Sequence, residues 1–175
     1  VEIAQFKGTI HAYGNYTLFA PTDEAVQTYL QSIGKSTVFD LTEAEATDIV
    51  KYHLILDTIK TADFTDGRLP APNFANTYLT NKAEADGATI YYRINRQANL
   101  LTSNLRGANG YLHILDAVLT PPTRSITQVI RTLPDEDYSF LKTVFEASGW
   151  ADSLDKVKPV GNYTFFIQNN EAFKK

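Results

Sequence analysis

The chain has 175 residues, 43% hydrophobic and 21% charged, enough for one solid core or for one domain plus a piece of another. Its net charge of −4 is spread along the chain without a basic stripe, which excludes the electrostatic footprint of a nucleic-acid binder. The absence of cysteine excludes disulfides, zinc ribbons and thiol nucleophiles, and no apolar run approaches the roughly 20 residues that span a bilayer.

In chain order, residues 16–20 form a short apolar, β-prone run that Pro21 and Thr22 end. Thr22 is placed to cap a helix over 23–32, with Asp23 and Glu24 in the first turn. Ala25, Tyr29, Leu30 and Ile33 supply its apolar stripe, and Gly34 stops it. Thr42-Glu43-Ala44-Glu45 is a capping box, and Ala46, Ile49, Val50 and His53 recur behind it at helical spacing. Residues 54–60 read as a strand. The polar stretch 61–82 holds an Asp66-Gly67 turn, Pro70 and Pro72; it reads as short pieces crossing the surface, the most mobile part of its domain. Residues 89–95 alternate, with Ile90, Tyr92 and Ile94 on one face, and 112–119 form a further strand reached through the Asn109-Gly110 turn. Pro121-Pro122 mark a boundary. Beyond it, Ser125 caps a helix over 126–133, and 138–148 form another that ends at Gly149. The mixture is α+β, a curled sheet or sandwich with helices at one side.

The sequence also repeats itself. Gly14-Asn15-Tyr16-Thr17-Leu18-Phe19 returns as Gly161-Asn162-Tyr163-Thr164-Phe165-Phe166, and extension to Val26 and Phe173 gives seven identities in thirteen positions. The offset, 161 − 14 = 147 residues, is domain-sized and means tandem domains. The two copies are out of phase with the chain, so residues 1–121 are expected to be a domain lacking its N-terminal helix and 122–175 the front of a second. The second copy has Ile167-Gln168-Asn169-Asn170 where the first has Ala20-Pro21-Thr22-Asp23, which weakens its helix start and leaves its strand. The helix over 138–148 carries Phe140, Leu141, Val144 and Phe145 on one stripe. It is a candidate to fill the place of the first domain's missing helix, within one chain or in a helix-swapped homodimer; in the competing arrangement it belongs to a separate second domain.

Three motifs carry a family resemblance. Residues Tyr16 to Ala25, read as Tyr-Thr-Leu-Phe-Ala-Pro-Thr-Asp-Glu-Ala, resemble the first signature of fasciclin (FAS1) domains. Leu112-His113-Ile114-Leu115-Asp116-Ala117-Val118-Leu119-Thr120-Pro121 resembles the closing signature, and Tyr52-His53-Leu54-Ile55 the tyrosine-histidine motif between them. The resemblance implies a helix-decorated β-sandwich and a non-enzymatic adhesion or matrix-binding role at the cell surface or outside the cell, often in tandem arrays. It implies a surface or matrix protein as partner, no cofactor, and anchorage through a part not in this chain. The stretch from Asp66 to Pro70 also looks like versions from gut bacteria with surface lipoproteins.

The candidate partner-binding residues are Tyr52 and His53, with Asp66, Arg68 and Tyr78 on the polar stretch. For His53 the competing role is packing, with a ring nitrogen satisfying a buried carbonyl, and that role is the expected one. His113 is expected to make a structural hydrogen bond, and His11 to be solvated. Tyr78, Tyr91, Tyr92 and Tyr111 suggest an alternative function, glycan binding by a bacterial surface lipoprotein, against the plainer reading that most of these rings complete the core. The sequons at Asn15 and Asn162 stand at the entrances to apolar strands and are read as unglycosylated. No nucleophile elbow, zinc-binding His-Glu-x-x-His helix, phosphate-cradling loop or calcium loop occurs, so no enzyme is expected.

Overall fold

The apolar run ahead of Pro21 becomes β1 (Tyr16–Pro21), the strand around which the N-terminal unit is built. The computed structural model describes residues 2–6, 8, 14–87, 89–156 and 164–174; His11 and Asn162 lie outside them. Two units divide the chain, Val1–Pro121 and Pro122–Lys175.

In the N-terminal unit, β1 is followed by β2 (Leu54–Ile55), β3 (Gly67–Arg68), β4 (Thr80–Asp86), β5 (Thr89–Ile94), β6 (Ala98–Gly107) and β7 (Gly110–Leu115). Among the described residues they form one seven-stranded sheet in the order β2-β1-β7-β6-β5-β4-β3. The β1–β7 pair is parallel, Tyr16 opposite Gly110 and Pro21 opposite Leu115; its neighbours are antiparallel. Laid flat, the sheet would separate β2 from β3 by six spacings of about 4.8 Å each. Instead Ile55 from one edge and Leu69, just past β3 at the other, share a single core with Phe19, Ile94 and Leu115. The sheet must therefore curl. It curls at β6, whose pairing with β7 slips twice between Leu100 and Leu105 and whose Asn104 has φ +59°, irregularities that bend and twist a strand. The expected β-sandwich is thus a single curled sheet with helices, not two facing sheets.

Two helices follow the sequence closely. Thr22 caps α1 (Asp23–Ser32) by accepting the N–H of Ala25 at 3.2 Å. Thr42 and Glu45 close a reciprocal capping box on α2 (Glu43–His53). The stretch 54–60 departs from expectation, because the strand ends at Ile55. There the Thr17 hydroxyl on β1 donates to the carbonyl of Asp57 at 2.7 Å and accepts the N–H of Ile59 at 2.8 Å, so side-chain bonds replace the ladder. The polar stretch 61–82 is pinned rather than merely draped. Leu69 and Leu79 are fully buried, Asn73 donates to the carbonyl of Tyr52, and Phe74 N–H bonds Leu54 O. β4 and β6 do not stand out in the sequence: TNKAEAD and ANLLTSNLRG are too polar to read as strands. The last strand stops at Leu115, although Val118 and Leu119 beyond it are buried.

The C-terminal unit has its own small core of Ile130, Leu141, Phe145 and Ala151, built from α3 (Ile126–Arg131), α4 (Asp135–Ala147) and α5 (Trp150–Lys156). α4 starts three residues before the expected 138, and Tyr138 departs from helical geometry inside it. Asn169 takes the place of Thr22 in the repeat and caps α6 (Asn170–Phe173), accepting the N–H of Ala172 at 3.1 Å. The helix start expected to be weak is therefore intact, since asparagine caps as well as threonine. The strand expected ahead of it is absent among the described residues. Phe166 is 92% exposed, where its counterpart Phe19, sheathed between β2 and β7, is fully buried.

Gly110 sits where β7 meets β1, and a Cβ there would lie 1.9 Å from the carbonyl oxygen of Tyr16. Gly110→Ala is expected to part the β1–β7 pair and cost about 3 kcal/mol or more, the upper range for overpacking. Gly107→Ala, whose Cβ would meet nothing nearer than 3.7 Å, serves as the control. Urea unfolding of the two variants checks this.

Candidate partner-binding site

Tyr52 and His53 close α2, and both are turned inward, 4% and 2% exposed. The N–H of Leu119 reaches His53 Nε2 at 2.9 Å, and an N–H must donate, so Nε2 is the bare acceptor. The ring proton is then on Nδ1, which donates to the carbonyl of Ile49 at 2.7 Å. Both nitrogens are satisfied by backbone, and the imidazole is neutral. The Tyr52 hydroxyl accepts from Asn95 Nδ2 at 3.2 Å. A direct contact between a partner and this pair would require opening the core.

His113 uses the opposite tautomer. Asn104 N–H points to Nδ1 at 3.4 Å, and Nε2–H donates to the carbonyl of Ile59 at 2.9 Å. Burial pushes the pKa of both histidines below the ordinary 6.5, and their bonds to Ile49 and Ile59 oppose that only in part.

The other three candidates come together at the β3 edge. Asp66 precedes β3 and reaches across to β4, where Oδ1 accepts the N–H of Ala83 at 2.7 Å and Oδ2 pairs with Lys82 Nζ at 2.7 Å. These contacts, the backbone N–H of Ala83 first and Lys82 second, hold its carboxyl below the usual range. Arg68 lies over the Tyr78 ring, 4.0 Å from its centroid, a cation–π stack that leaves the guanidinium edges open. Among the described residues Arg68 has no carboxylate partner, so the face offers a fixed, planar cation beside a half-exposed ring. Lys82 completes this face and was not singled out from the sequence. Its signal is the strand pairing that sets Gly67 opposite Asn81, which spacing along the chain does not reveal. Of the four tyrosines considered for sugar stacking, Tyr78 and Tyr91 are the more open, 40% and 49% exposed, whereas Tyr92 meets Phe64 edge-on.

A family model of the fasciclin domain matches residues 1–121. The chain belongs to the fasciclin family. The matched span ends where the N-terminal unit ends. This fasciclin chain is 25% identical over 162 residues to the pig (Sus scrofa) transforming growth factor-beta-induced protein ig-h3, covering 93% of this chain and 22% of that protein. It is 28% identical over 161 residues to human (Homo sapiens) periostin, covering 91% of this chain and 18% of that protein. The chain thus spans about a fifth of the length of these curated relatives. Among solved structures, a FAS1 domain pair from the insect cell adhesion molecule Fasciclin I has the same fold, with a TM-score of 0.56 at 18% identity over 99% of this chain and 60% of that one.

His53→Ala removes the acceptor for the buried N–H of Leu119, so the fasciclin domain is expected to lose about 1–3 kcal/mol of stability, read from the shift of its urea midpoint. The two histidines also predict a pH dependence. Their native pKa values lie below 6.5, so as pH falls through about 6.5 the unfolded chain takes up protons that the native state refuses. Stability is full above that pH and declines below it. The lowered carboxylates, Glu45 at about 2 together with Asp40 and Asp66, act only below their ordinary values of 4.5 and 3.8. Urea midpoints at pH 7.5 and 5.5 are therefore expected to differ because of the histidines, with the lower midpoint at pH 5.5.

Proposed function

We propose that this chain is a non-enzymatic adhesion module that works outside the cell or at its surface, binding a surface or matrix protein. The observation that carries this reading is its membership of the fasciclin family, supported by the fold it shares with a domain pair from an insect cell adhesion molecule. Among the described residues, no group of three or more His, Cys, Asp or Glu is arranged to hold a metal, and no helix is long and apolar enough to cross a membrane.

The proposed binding face is the β3 edge. Its parts are open, while Tyr52 and His53 are occupied inside. Arginine and tyrosine are the residue types that most often dominate binding energy at protein interfaces, and here they are already stacked, which lowers the cost of ordering them. A carboxylate on the partner would complete the pairing that Arg68 lacks. A helix-swapped homodimer has less to draw on, since Leu141 and Phe145 are spent on the core of the C-terminal unit and only Phe140 and Val144 of that stripe stay half open.

The test is cell attachment to a surface coated with the chain, before and after protease treatment of the cells. Attachment is expected to require intact surface proteins. Arg68→Ala is expected to weaken it about five- to tenfold, on the order of 1 kcal/mol, with the urea midpoint unchanged. Attachment that survives protease treatment, or that ignores Arg68→Ala, counts against this reading.

A further inference from the structure

Away from the β3 edge, the turn between β6 and β7 opens onto a cavity of about 420 Å³. Two cations line it, Lys60 from the segment after β2 and Arg106 from the end of β6, together with Asn15, Thr58, Asp63 and Tyr111. The volume falls within the roughly 300–1,000 Å³ range of small-ligand sites.

The walls are held from within. Arg106 stands opposite Tyr111 across the hairpin, and Thr17 on β1 stands opposite Tyr111 on its other side, which brings Asn15 to the rim. Lys60 lies between two fixed residues. Ile59 is buried, its N–H bonded to the Thr17 hydroxyl and its carbonyl to His113. Thr61 exchanges two bonds with the Asn104 side chain, at 2.9 and 2.7 Å. The Lys60 ammonium rests over the Tyr111 ring, 5.4 Å from its centroid. Neither Lys60 nor Arg106 forms an ion pair among the described residues. Asp63 is fixed by accepting the backbone N–H of Lys60 at 2.9 Å.

We propose that this cavity binds an acidic saccharide, a sugar ring bearing a carboxylate. Two unpaired cations held beside a pocket call for an anion. The remaining wall sets the rest of the ligand: amide, hydroxyl and phenol groups suit a hydrated polyol and give little purchase to an apolar molecule. Asp63 adds a discrimination of its own. It repels a compact dianion such as phosphate, yet it accepts a hydrogen bond from a sugar hydroxyl. This site is independent of the β3 edge, so either can fail without the other.

The probe is a trigalacturonate, titrated calorimetrically into the full chain at low and at high salt. Saturable binding is expected, weakened by salt because the contacts are ionic and open to solvent. Lys60→Gln and Arg106→Gln are each expected to reduce affinity about fivefold or more, as befits loss of a charge-assisted bond. Their urea midpoints should match the parent, and Arg68→Ala should bind as the parent does. The methyl-esterified trimer, which keeps the rings and loses the charges, should not bind. No saturation up to about 10 mM would overturn the proposal. So would equal binding of the ester, indifference to both glutamine variants, or tighter binding of an acidic hexapeptide than of the trimer.

Discussion

After β2 the chain leaves the sheet, and what holds it against the core is a clamp on Ile59. The Thr17 hydroxyl takes its N–H and His113 takes its carbonyl, one from each of the two parallel central strands. Ile59 is almost fully buried, so neither backbone group can fall back on water. An orphaned buried group costs about 1–3 kcal/mol, comparable to a sizeable part of a domain's net stability. Thr17 spends its other bond on Asp57, so a single hydroxyl turns the chain out of the ladder and seats it again one step later. Lys60, the 3₁₀ turn Thr61–Asp63 and the packing of Phe64 onto His113 all inherit their positions from that clamp.

A second histidine does the same work for the closing motif. His53 bridges the last turn of α2 to Leu119, tying the middle motif to the closing one. Both rings are neutral, each in the tautomer that its backbone partners require, and each shows what a polar residue in an apolar setting must do to stay there. At the rims, on strand edges and turns, Lys60 and Arg68 lie over tyrosine rings, whereas Lys82 pairs with the Asp66 carboxylate.

The internal repeat separates local from long-range causes. Thr22 and Asn169 both cap a helix, because a cap needs only a short polar side chain and the next turn of backbone. Ala4 and Ala151, also one repeat apart, are both buried. Phe19 and Phe166 share a motif and part company entirely, one enclosed by strands on both sides and the other open. A strand is made by its neighbours, so a sequence that is a strand in one place is only an extended segment in another.

The sequence by itself determined the capped helices, the position of β1, the repeat and the family, all of which rest on signals spanning a few residues or on matched motifs; the turn it placed at Asn109-Gly110 lies one residue earlier, at Ala108-Asn109, with Gly110 opening β7 opposite Gly107. It also pointed to packed roles for His53 and His113, since a histidine on an apolar face needs a partner. The tertiary structure alone decided the rest. It showed β4 and β6 as strands, because polar residues join a sheet when their neighbours offer a ladder. It curled the sheet at the irregular β6, where the slips in register depend on two strands together. It brought Lys82 to Asp66, and Lys60 and Arg106 to one cavity, across separations that no local pattern encodes. Side chains far apart in sequence meet only through strand register, and register is fixed by the packing of the whole domain.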